Sequence, residues 1–171
     1  TGAEPRKRHV DGLRENECIL AWDILRGNIP GNAENYLVIG GGAVGLEVAL
    51  LLSTKGKKVT VVEMQKQFGM DMGDTIRWSL LRILRNLGVK LIPSVEVTRG
   101  DGDYLYVTED GMEKKWTKFD RHVLATGLQS KDELLNSLTA FKGELYIIGD
   151  AKKPRKGADA IREGAEIGNF V

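Results

Sequence analysis

The sequence predicts an α/β fold built on a parallel sheet, and two patterns carry that prediction. Between residues 36 and 92, short apolar runs alternate with segments of helix length. Parallel strands buried on both faces have such unbroken apolar runs, and strict strand–helix alternation is typical of a parallel sheet with right-handed crossovers. Between residues 95 and 119, three short runs separated by turns with Asp-Gly predict an antiparallel three-strand meander.

The parallel part begins with a strand at residues 36–39 that ends in glycines. A helix at residues 43–55 follows, and Gly56 stands where a helix C-cap belongs. A second strand, a second helix and a third strand are predicted at residues 58–63, 75–87 and 89–92. The second helix is amphipathic, because apolar side chains recur at helical spacing at Ile76, Leu80, Ile83, Leu84 and Leu87.

Shorter elements are predicted on either side of this region. The first 35 residues lack clean periodicity apart from an amphipathic run at 17–25, and the turn formers of residues 26–32 predict a boundary loop. Beyond residue 93, the predicted strands are 95–98, 104–108, 114–119, 121–125 and 145–148. Two further helices are predicted, near residues 132–138 and from about residue 158 to residue 170.

Charge and composition exclude several function classes. The chain carries 25 Lys and Arg against 24 Asp and Glu, and a net charge of +1 gives no long-range attraction to nucleic acid or to an anionic membrane. The basic run at residues 152–156 lacks interleaved aromatic residues and is predicted to be a solvated loop. The longest apolar stretch, residues 43–52, is interrupted by Glu47 and is shorter than the roughly 20 residues of a membrane span. Since no basic-then-apolar leader is present, we expect a cytoplasmic protein with neither a nucleic-acid nor a membrane partner.

Residues that could carry catalysis or bind a metal are scarce. Cys18 is the only cysteine, which excludes an internal disulfide, a Cys-x-x-Cys redox pair and a cysteine metal cage. His9 and His122 stand in unrelated contexts and offer no set of metal ligands, and Asp120, His122 and Ser130 form no recognisable triad. The sequence therefore predicts no metal site and no catalytic acid, base or nucleophile.

A complete Gly-x-Gly-x-x-Gly string occupies residues 40–45, as Gly40, Gly41, Gly42, Ala43, Val44 and Gly45. It follows a predicted strand and opens a predicted helix inside a βαβ unit, which is the context of a Rossmann-like dinucleotide site. We expect Gly40 to permit the turn, Gly42 to let a pyrophosphate approach the backbone, and Gly45 to let the helix lie close to the sheet. The helix N-terminus would offer its N–H groups to the phosphates. A glycine turn without a ligand is the alternative.

An acidic residue ends the second strand. Glu63 lies 23 residues after Gly40, close to the roughly 20-residue spacing of the acid that hydrogen-bonds a ribose 2′-OH, and Met64 beside it belongs to the same candidate site. A carboxylate here favours NAD over NADP, although Lys66 softens the repulsion of an extra phosphate. Glu47, one turn into the helix, either faces the nicotinamide or a flavin, or is present only because the helix macrodipole favours an acid. For Glu63 the alternative is a solvated strand end.

Two other protein classes share parts of this pattern. The loop lacks the Gly-Lys-Ser/Thr ending of a P-loop, which argues against nucleotide hydrolysis. A methyltransferase also has a glycine loop and an acid after its second strand. Its sheet continues with further helix–strand units, however, where this chain enters a meander.

The residues at the loop and beyond resemble a known family. Residues 40–47, the acid-ended strand, the meander and Leu-Ala-Thr-Gly at 124–127 resemble the NAD(P)H domain of two-dinucleotide-fold flavoproteins. Residues 146–151 resemble the late FAD motif of that superfamily, and residues 1–5 resemble the strand end that precedes the inserted NAD domain. More particularly, the chain is similar to the C-terminal region of NADH:flavin oxidoreductases of the old yellow enzyme group, akin to dienoyl-CoA reductase, enoate reductases and trimethylamine dehydrogenase. This narrower likeness rests on residues 21–27, 69–75, 154–156 and 160–164.

The resemblance implies cofactors and residue roles. NAD would bind at the glycine loop with Ala125, Thr126 and Gly127 at its nicotinamide end, and Gly149 and Asp150 would serve FAD in the full-length enzyme. Hydride would pass from NADH to FAD, and an iron–sulfur cluster and FMN would lie in the N-terminal part. One glycine fingerprint, one cysteine and no starting Met predict a fragment that retains no FAD. Its predicted parts are an NAD(P)H domain at 32–127 and incomplete FAD-domain segments at 1–31 and 128–171.

The resemblance leaves a second function open. In relatives of the trimethylamine dehydrogenase type, the equivalent site looks like a static ADP site. The glycine loop and Glu63 fit ADP as well as NADH, because both ligands present the same adenosine end. We therefore expect either the NADH-presenting part of a flavin oxidoreductase or a non-catalytic ADP-binding module.

Overall fold

The structure is a computed structural model that describes residues 2–170. Thr1, the first residue of the segment that resembles an FAD-domain strand end, and Val171 lie outside the described residues. Within residues 2–170 the chain forms ten strands, β1 (Ala3–Pro5), β2 (Cys18–Leu20), β3 (Asn35–Ile39), β4 (Lys58–Glu63), β5 (Lys90–Pro93), β6 (Val95–Asp101), β7 (Tyr104–Glu109), β8 (Met112–Thr117), β9 (Arg121–Leu124) and β10 (Leu128–Ser130). The α-helices of the same residues are α1 (Ala21–Leu25), α2 (Ala43–Thr54), α3 (Asp74–Asn86), α4 (Glu133–Ser137) and α5 (Gly157–Gly168).

Two compact units divide these residues. The larger unit comprises residues 7–126, and the smaller unit comprises residues 2–6 together with residues 127–170. The sequence-based prediction drew its first boundary after residue 31, whereas residues 7–31 pack with the larger unit. They do so because β2 pairs with β9 in the parallel sheet and α1 packs against α2.

The larger unit has the predicted α/β fold. Its five-stranded sheet has the order β2-β9-β3-β4-β5, and every neighbouring pair of strands is parallel. Helix α2 connects β3 to β4 and helix α3 connects β4 to β5, which are the predicted βαβ units. A separate antiparallel sheet of β6, β7 and β8 forms the predicted meander. Its second hairpin turns at Asp110 and Gly111, which both have the positive φ of a type I′ turn.

Two apolar clusters cover the two faces of the parallel sheet. Tyr36 and Val38 of β3 belong to the cluster shared with α1, α2 and α3, whereas Leu37 and Ile39 belong to the cluster shared with the meander. All four side chains are buried. Since successive side chains of a strand point to opposite faces, burial on both faces accounts for the unbroken apolar runs in the sequence.

Helix α3 forms where the sequence predicts it, but its buried face is narrower than the predicted one. Leu80 and Leu84 of the predicted face are buried, together with Leu81. The other members of that face are exposed, namely Ile76, Ile83 and Leu87. The helix packs against its neighbours through the Leu80–Leu84 side alone, so the rest of its apolar arc faces outward.

The smaller unit contains a two-stranded sheet, in which β1 pairs with β10 antiparallel, and the two predicted helices, α4 and α5. The predicted strand at residues 145–148 is wrong, because these residues form no strand. A strand needs a neighbour to accept and donate its backbone hydrogen bonds, and no described segment pairs with these residues. Their apolar side chains, Leu145, Tyr146, Ile147 and Ile148, are between 37% and 47% exposed.

Candidate functional site

The glycine loop connects the C-terminal end of β3 to α2, beside the end of β9. Gly40 has a φ of 109°, and a Cβ atom there would lie 2.3 Å from the carbonyl oxygen of Ala125. The Ala125 N–H donates to the carbonyl oxygen of Ile39 at 2.9 Å. Glycine is therefore required for the turn at residue 40, as the sequence predicts, and the turn brings Ala125 against the loop.

Gly45 lies in the first turn of α2 and is buried. A Cβ atom on Gly45 would lie 2.0 Å from the carbonyl oxygen of Gly40 and 3.2 Å from the Cβ atom of Ala125. The helix thus begins closer to the loop and to the end of β9 than a larger residue would permit. This close approach is the role expected for the third glycine of the fingerprint.

The N-terminus of α2 holds a carboxylate. The helix begins at Ala43 after Gly42, which has no side chain with which to cap it. The Ala43 N–H donates to both carboxylate oxygens of Asp71, at 3.0 Å and 3.1 Å. The same carboxylate lies beside Gly42, since a Cβ atom there would come within 3.2 Å of Asp71 Oδ2. The loop therefore binds an anionic group through the kind of backbone N–H that helix N-termini offer to phosphates.

Glu63, the last residue of β4, is hydrogen-bonded to the backbone on both sides. Its Oε2 atom accepts from the N–H of Gly41 at 2.7 Å, and its Oε1 atom accepts from the N–H of Gln65 at 2.9 Å. The predicted acid thus lies next to the predicted loop and links β4 to it. Each carboxylate oxygen can accept more than one hydrogen bond, so these contacts leave room for a ribose hydroxyl.

The segment between β4 and α3 positions Asp71. Phe68 is buried against the loop, because a Cβ atom on Gly41 would lie 2.3 Å from a ring carbon of Phe68. The Gly69 N–H donates to the Gly41 carbonyl oxygen at 2.7 Å, and Met72 packs against the cluster shared with the helices. Asp71 itself is exposed, so its carboxylate contacts the loop on one side and water on the other.

The sequence-based reasoning missed Phe68 and Asp71 as parts of this site. A signal was present in residues 69–73, where two glycines enclose an acid immediately before a helix. Such a segment allows a tight turn and leaves the carboxylate close to whichever N–H groups lie opposite it. The contact of this carboxylate with the glycine loop depends on tertiary packing, which cannot be read from the sequence.

The remaining residues predicted for the site differ in their burial and in the elements that carry them. Val44 is half-buried and packs against the cluster shared with the helices, Glu47 is exposed on α2, and Met64 is exposed directly after β4. Thr126 is half-buried and follows Ala125. Gly127, with a φ of 89°, is the first residue of the second segment of the smaller unit.

The predicted FAD residues form a turn in the smaller unit that an acid of α5 holds. Gly149 has a φ of 60°, and its N–H donates to Glu163 Oε2 at 2.7 Å. The other carboxylate oxygen of Glu163 pairs with Arg155 at 2.6 Å, and the Arg155 N–H donates to Asp150 Oδ1 at 3.1 Å. The hydrogen bond from Arg155, followed by that from Gly149, lowers the pKa of Glu163 to about 2. Glu163 and Arg155 thus position both Gly149 and Asp150.

His122 and Cys18 are parts of the core. His122 in β9 is fully buried and is paired in register with Cys18 in β2. Neither ring nitrogen has a hydrogen-bond partner among the described residues, although the backbone of Glu17 is near. Burial, and then the charge of Lys118, lowers the pKa of His122 to about 4, while burial and then Glu17 raise the pKa of the Cys18 thiol. A neutral imidazole and a protonated thiol follow, and neither is activated for nucleophilic attack.

Neither a metal centre nor a membrane span is found in the part of the chain that the structure describes. Within residues 2–170, no three His, Cys, Asp or Glu side chains are grouped so that they could hold a metal ion. In the same residues, no helix has the length and apolar character needed to cross a membrane.

The chain is similar to known oxidoreductases over nearly all of its length. A family model described as pyridine nucleotide-disulphide oxidoreductase matches residues 1–164. A metal reductase of Desulforamulus reducens is 33% identical over 192 residues, which cover 95% of this chain and 28% of that protein. An NADH oxidase of Thermoanaerobacter brockii is 34% identical over 177 residues, which cover 98% of this chain and 26% of that protein.

A solved structure with the same fold is a complex of 2-naphthoyl-CoA reductase with 2-naphthoyl-CoA. It matches with a TM-score of 0.83 and 26% identity, over 99% of this chain and 26% of its own. The chain therefore spans about a quarter of the length of each of these three proteins.

Proposed function

The chain belongs to the pyridine nucleotide-disulphide oxidoreductase family, and we propose that its larger unit binds NADH and presents it for hydride transfer to FAD within a longer flavin-dependent oxidoreductase. Its relatives include proteins named NADH oxidase and metal reductase, of which it spans about a quarter. The reaction as a whole is accordingly assigned to a longer parent protein. This chain contributes the pyridine-nucleotide site.

The observation that carries the proposal is the carboxylate bound at the glycine loop. The Ala43 N–H at the start of a 12-residue helix already binds an anion, the side chain of Asp71. Gly42 leaves the backbone open to a group of this size, whereas a Cβ atom there would crowd it. A pyrophosphate has the same charge sign and the same hydrogen-bonding character as this carboxylate, so the residues fit a dinucleotide.

In this proposal the pyrophosphate binds to the loop residues, namely Gly40, Gly41, Gly42, Ala43, Val44 and Gly45. Glu63 accepts a hydrogen bond from the 2′-OH of the adenosine ribose, and Met64 lies beside the adenosine. Ala125, Thr126 and Gly127 border the nicotinamide end, and Glu47 is the acid of α2 assigned to that end. NAD is the preferred coenzyme, because the Glu63 carboxylate repels the additional 2′-phosphate of NADP.

The chemistry of the reaction belongs to the cofactors. When bound, NADH supplies a hydride and FAD accepts it, while the protein binds and orients both. We assign no residue of this chain the role of a catalytic acid, base or nucleophile. The loop residues and Glu63 are binding residues.

The smaller unit is proposed to be part of an FAD domain. Gly149 and Asp150 would serve FAD there, and Glu163 supports this assignment by holding the Gly149 N–H. The domains proposed from the family resemblance are an NAD(P)H domain at 32–127 and partial FAD-domain segments at 1–31 and 128–171, although residues 7–31 pack with the larger unit. The proposed parent is an NADH:flavin oxidoreductase of the old yellow enzyme group, with FMN and an iron–sulfur cluster in its other domains.

The apolar run at residues 145–148 supports a partner within such a parent. Its sequence favours a strand, yet no described segment pairs with it and its side chains are partly exposed. We propose that the remainder of the parent chain supplies the missing strand. In the isolated chain, hydrogen exchange should then be fast at the Ile147 amide and slow at the Val123 amide of β9. In a longer parent protein, exchange should become slower at Ile147 and stay unchanged at Val123. Equal rates at Ile147 in both proteins would contradict this pairing.

The function is tested by calorimetric titration of the chain with NADH, NADPH and ADP at one salt concentration. Tighter binding of NADH than of the other two is the expected result, because the nicotinamide half adds contacts and Glu63 rejects the 2′-phosphate. Equal affinity for NADH and ADP would instead favour the static ADP-binding module. A Gly42→Val variant, whose side chain would fill the approach to the loop, should lose the binding. Gly31→Val should keep it, because a Cβ atom at Gly31 would meet no other atom within 4 Å.

A further inference from the structure

The Asp71 carboxylate lies where the proposed function requires a pyrophosphate. We propose that Asp71 is a tethered anion that competes with the dinucleotide for the Ala43 N–H and thereby sets its apparent affinity. This inference rests on the proposed function and goes beyond it, because it assigns a control of ligand binding to a residue outside the glycine fingerprint. The contact that carries it is the donation from Ala43 N–H to both oxygens of Asp71, at 3.0 Å and 3.1 Å.

Asp71 and a bound phosphate exclude each other for two reasons. The Ala43 N–H has one hydrogen, and the Asp71 carboxylate already shares it between its two oxygens. A phosphate at the same N–H would also lie against a second negative charge, and like charges in contact are strongly unfavourable. The carboxylate must therefore leave before the pyrophosphate occupies the N–H.

The side chain of Asp71 can leave without opening the segment that carries it. Phe68 is buried against Gly41, and the Gly69 N–H is bonded to the Gly41 carbonyl oxygen at 2.7 Å. On the other side, Met72 packs against the cluster shared with the helices. These contacts fix the backbone on both sides of Asp71, while its exposed carboxylate can rotate into water. The moving part is one side chain.

The expected change in NADH affinity depends on the fraction of molecules in which the Ala43 N–H is free of Asp71. If the carboxylate occupies the N–H in about nine molecules of ten, the apparent affinity for a dinucleotide is about tenfold weaker than that of the open site. Truncating Asp71 to alanine removes both the competitor and the repulsion, whereas asparagine removes the repulsion and keeps a weaker acceptor oxygen. Both variants are therefore expected to bind NADH more tightly than the wild-type chain, and the alanine variant more so.

A purely structural role for Asp71 predicts the opposite change. If the carboxylate served only to cap α2 and to keep the loop in its binding geometry, neutralising it would loosen the loop and weaken NADH binding. The two roles thus differ in the sign of the change in affinity. Both roles predict some loss of stability, so stability alone does not distinguish them.

The experiment compares Asp71→Asn and Asp71→Ala with a matched control, Asp74→Asn. Asp74 carries the same charge three residues away, and its carboxylate pairs with Arg77 at 3.2 Å. Amide exchange at Ala43 in the ligand-free chain reports the contact directly, and titration with NADH reports the competition. We expect faster exchange at Ala43 in Asp71→Ala, affinity for NADH increased about tenfold in Asp71→Ala and by a smaller factor in Asp71→Asn, and both quantities within about twofold of wild type in Asp74→Asn.

The other outcomes overturn the inference in distinguishable ways. Weaker or unchanged NADH binding in the Asp71 variants, with normal binding by the wild-type chain, overturns the competition and leaves the proposed function intact. Unchanged amide exchange at Ala43 in Asp71→Ala would show that the carboxylate does not protect this amide. That result would also overturn the competition. Absence of NADH binding in the wild type and in every variant overturns the proposed function, and the competition with it.

Discussion

The carboxylate of Glu63 accepts a hydrogen bond from the Gly41 N–H at 2.7 Å, so the residue that ends β4 also fixes the glycine loop that follows β3. The same carboxylate accepts from the Gln65 N–H at 2.9 Å. An acid at this position thus stabilises the turn whether or not a ribose is bound. Its structural and its proposed binding roles are separable, because the first needs an acceptor atom and the second also uses the negative charge.

A Glu63→Gln variant separates these two roles. The amide oxygen still accepts from a backbone N–H, so the loop is retained and the affinity for NADH should fall only a few-fold. Without the negative charge, NADPH should bind about tenfold more tightly than it binds to the wild-type chain, since about 1.4 kcal/mol of repulsion corresponds to a factor of ten. Titration of both proteins with NADH and NADPH measures the two changes.

Glu15→Gln is the control for this substitution. Glu15 is an exposed acid of the larger unit, outside the proposed site, and its side chain makes no contact with the loop among the hydrogen bonds of the described residues. Its neutralisation changes the net charge of the unit by the same amount. Unchanged NADPH affinity in Glu63→Gln, or an equal gain in Glu15→Gln, would argue against a specific role of Glu63 in coenzyme choice.

Gly45→Ala should destabilise the larger unit, although alanine is the better helix former. The substitution gains about 1 kcal/mol of helix propensity. The added Cβ atom would lie 2.0 Å from the Gly40 carbonyl oxygen, and relieving such an overlap in a packed site costs about 1–3 kcal/mol or more. We expect a net loss of about 1 kcal/mol in the free energy of unfolding, the middle of this range of costs less the gain, measured by urea denaturation.

Gly31→Ala is the matched control for Gly45→Ala. A Cβ atom at Gly31 has no neighbour within 4 Å, so its free energy of unfolding should stay within about 0.5 kcal/mol of wild type. Stabilisation by Gly45→Ala would mean that α2 does not approach the Gly40 carbonyl closely enough to exclude a methyl group.

The parallel part of the fold was predictable because its central strands β3 and β4 are buried on both faces and helices α2 and α3 are each followed closely by a glycine. β4 was predicted with its observed bounds, Lys58–Glu63, and α2 ends at Thr54, within one residue of the prediction. Gly40 and Gly45 were also assigned their observed structural roles, because close backbone approach leaves glycine as the only acceptable residue. Local sequence therefore contains enough information for the loop and its two strands.

Features that depend on partners distant in sequence were not predictable. The strand at residues 145–148 is absent because an apolar run becomes a strand only when another segment pairs with it. β2 was not predicted, since a run of three residues is too short to indicate a strand and forms one only beside β9. Asp71 was missed for the same reason, because its contact with Ala43 is made across 28 residues of sequence.

Glu163→Leu should release the turn at Gly149. The variant removes the acceptor of the Gly149 N–H and the partner of Arg155, so amide exchange at Gly149 should become about tenfold faster or more. Glu163→Gln should show a smaller increase, because its amide oxygen can still accept from Gly149. Glu166→Gln, which changes an exposed acid of the same helix, should exchange like wild type.

The same contact has a predictable pH dependence. The pKa of Glu163 is lowered from 4.5 to about 2, by Arg155 and then by the Gly149 N–H. Its stabilising effect is therefore present above about pH 4.5 and is lost as the pH falls through about 2. The turn should remain protected at about pH 3.5, and loss of protection already near about pH 4.5 would contradict the ion pair.

His122 should make the larger unit less stable in mild acid. The pKa of this imidazole is lowered from 6.5 to about 4 by burial and then by the Lys118 charge, with Arg121 acting in the same direction and Glu17 opposing it. Between these pH values the unfolded chain binds more protons than the folded chain, so the free energy of unfolding falls as the pH is lowered. The loss between about pH 7.5 and about pH 5 should be about 2 kcal/mol.

A His122→Leu variant tests this assignment, because leucine fills the buried position without titrating. Urea denaturation at the same two pH values should give a loss smaller than that of the wild type by about 2 kcal/mol. His9→Leu, which changes an exposed histidine, should keep the wild-type dependence. A His122→Leu variant that loses as much stability in acid as the wild type would contradict the assignment, since the proton uptake would then occur at another group.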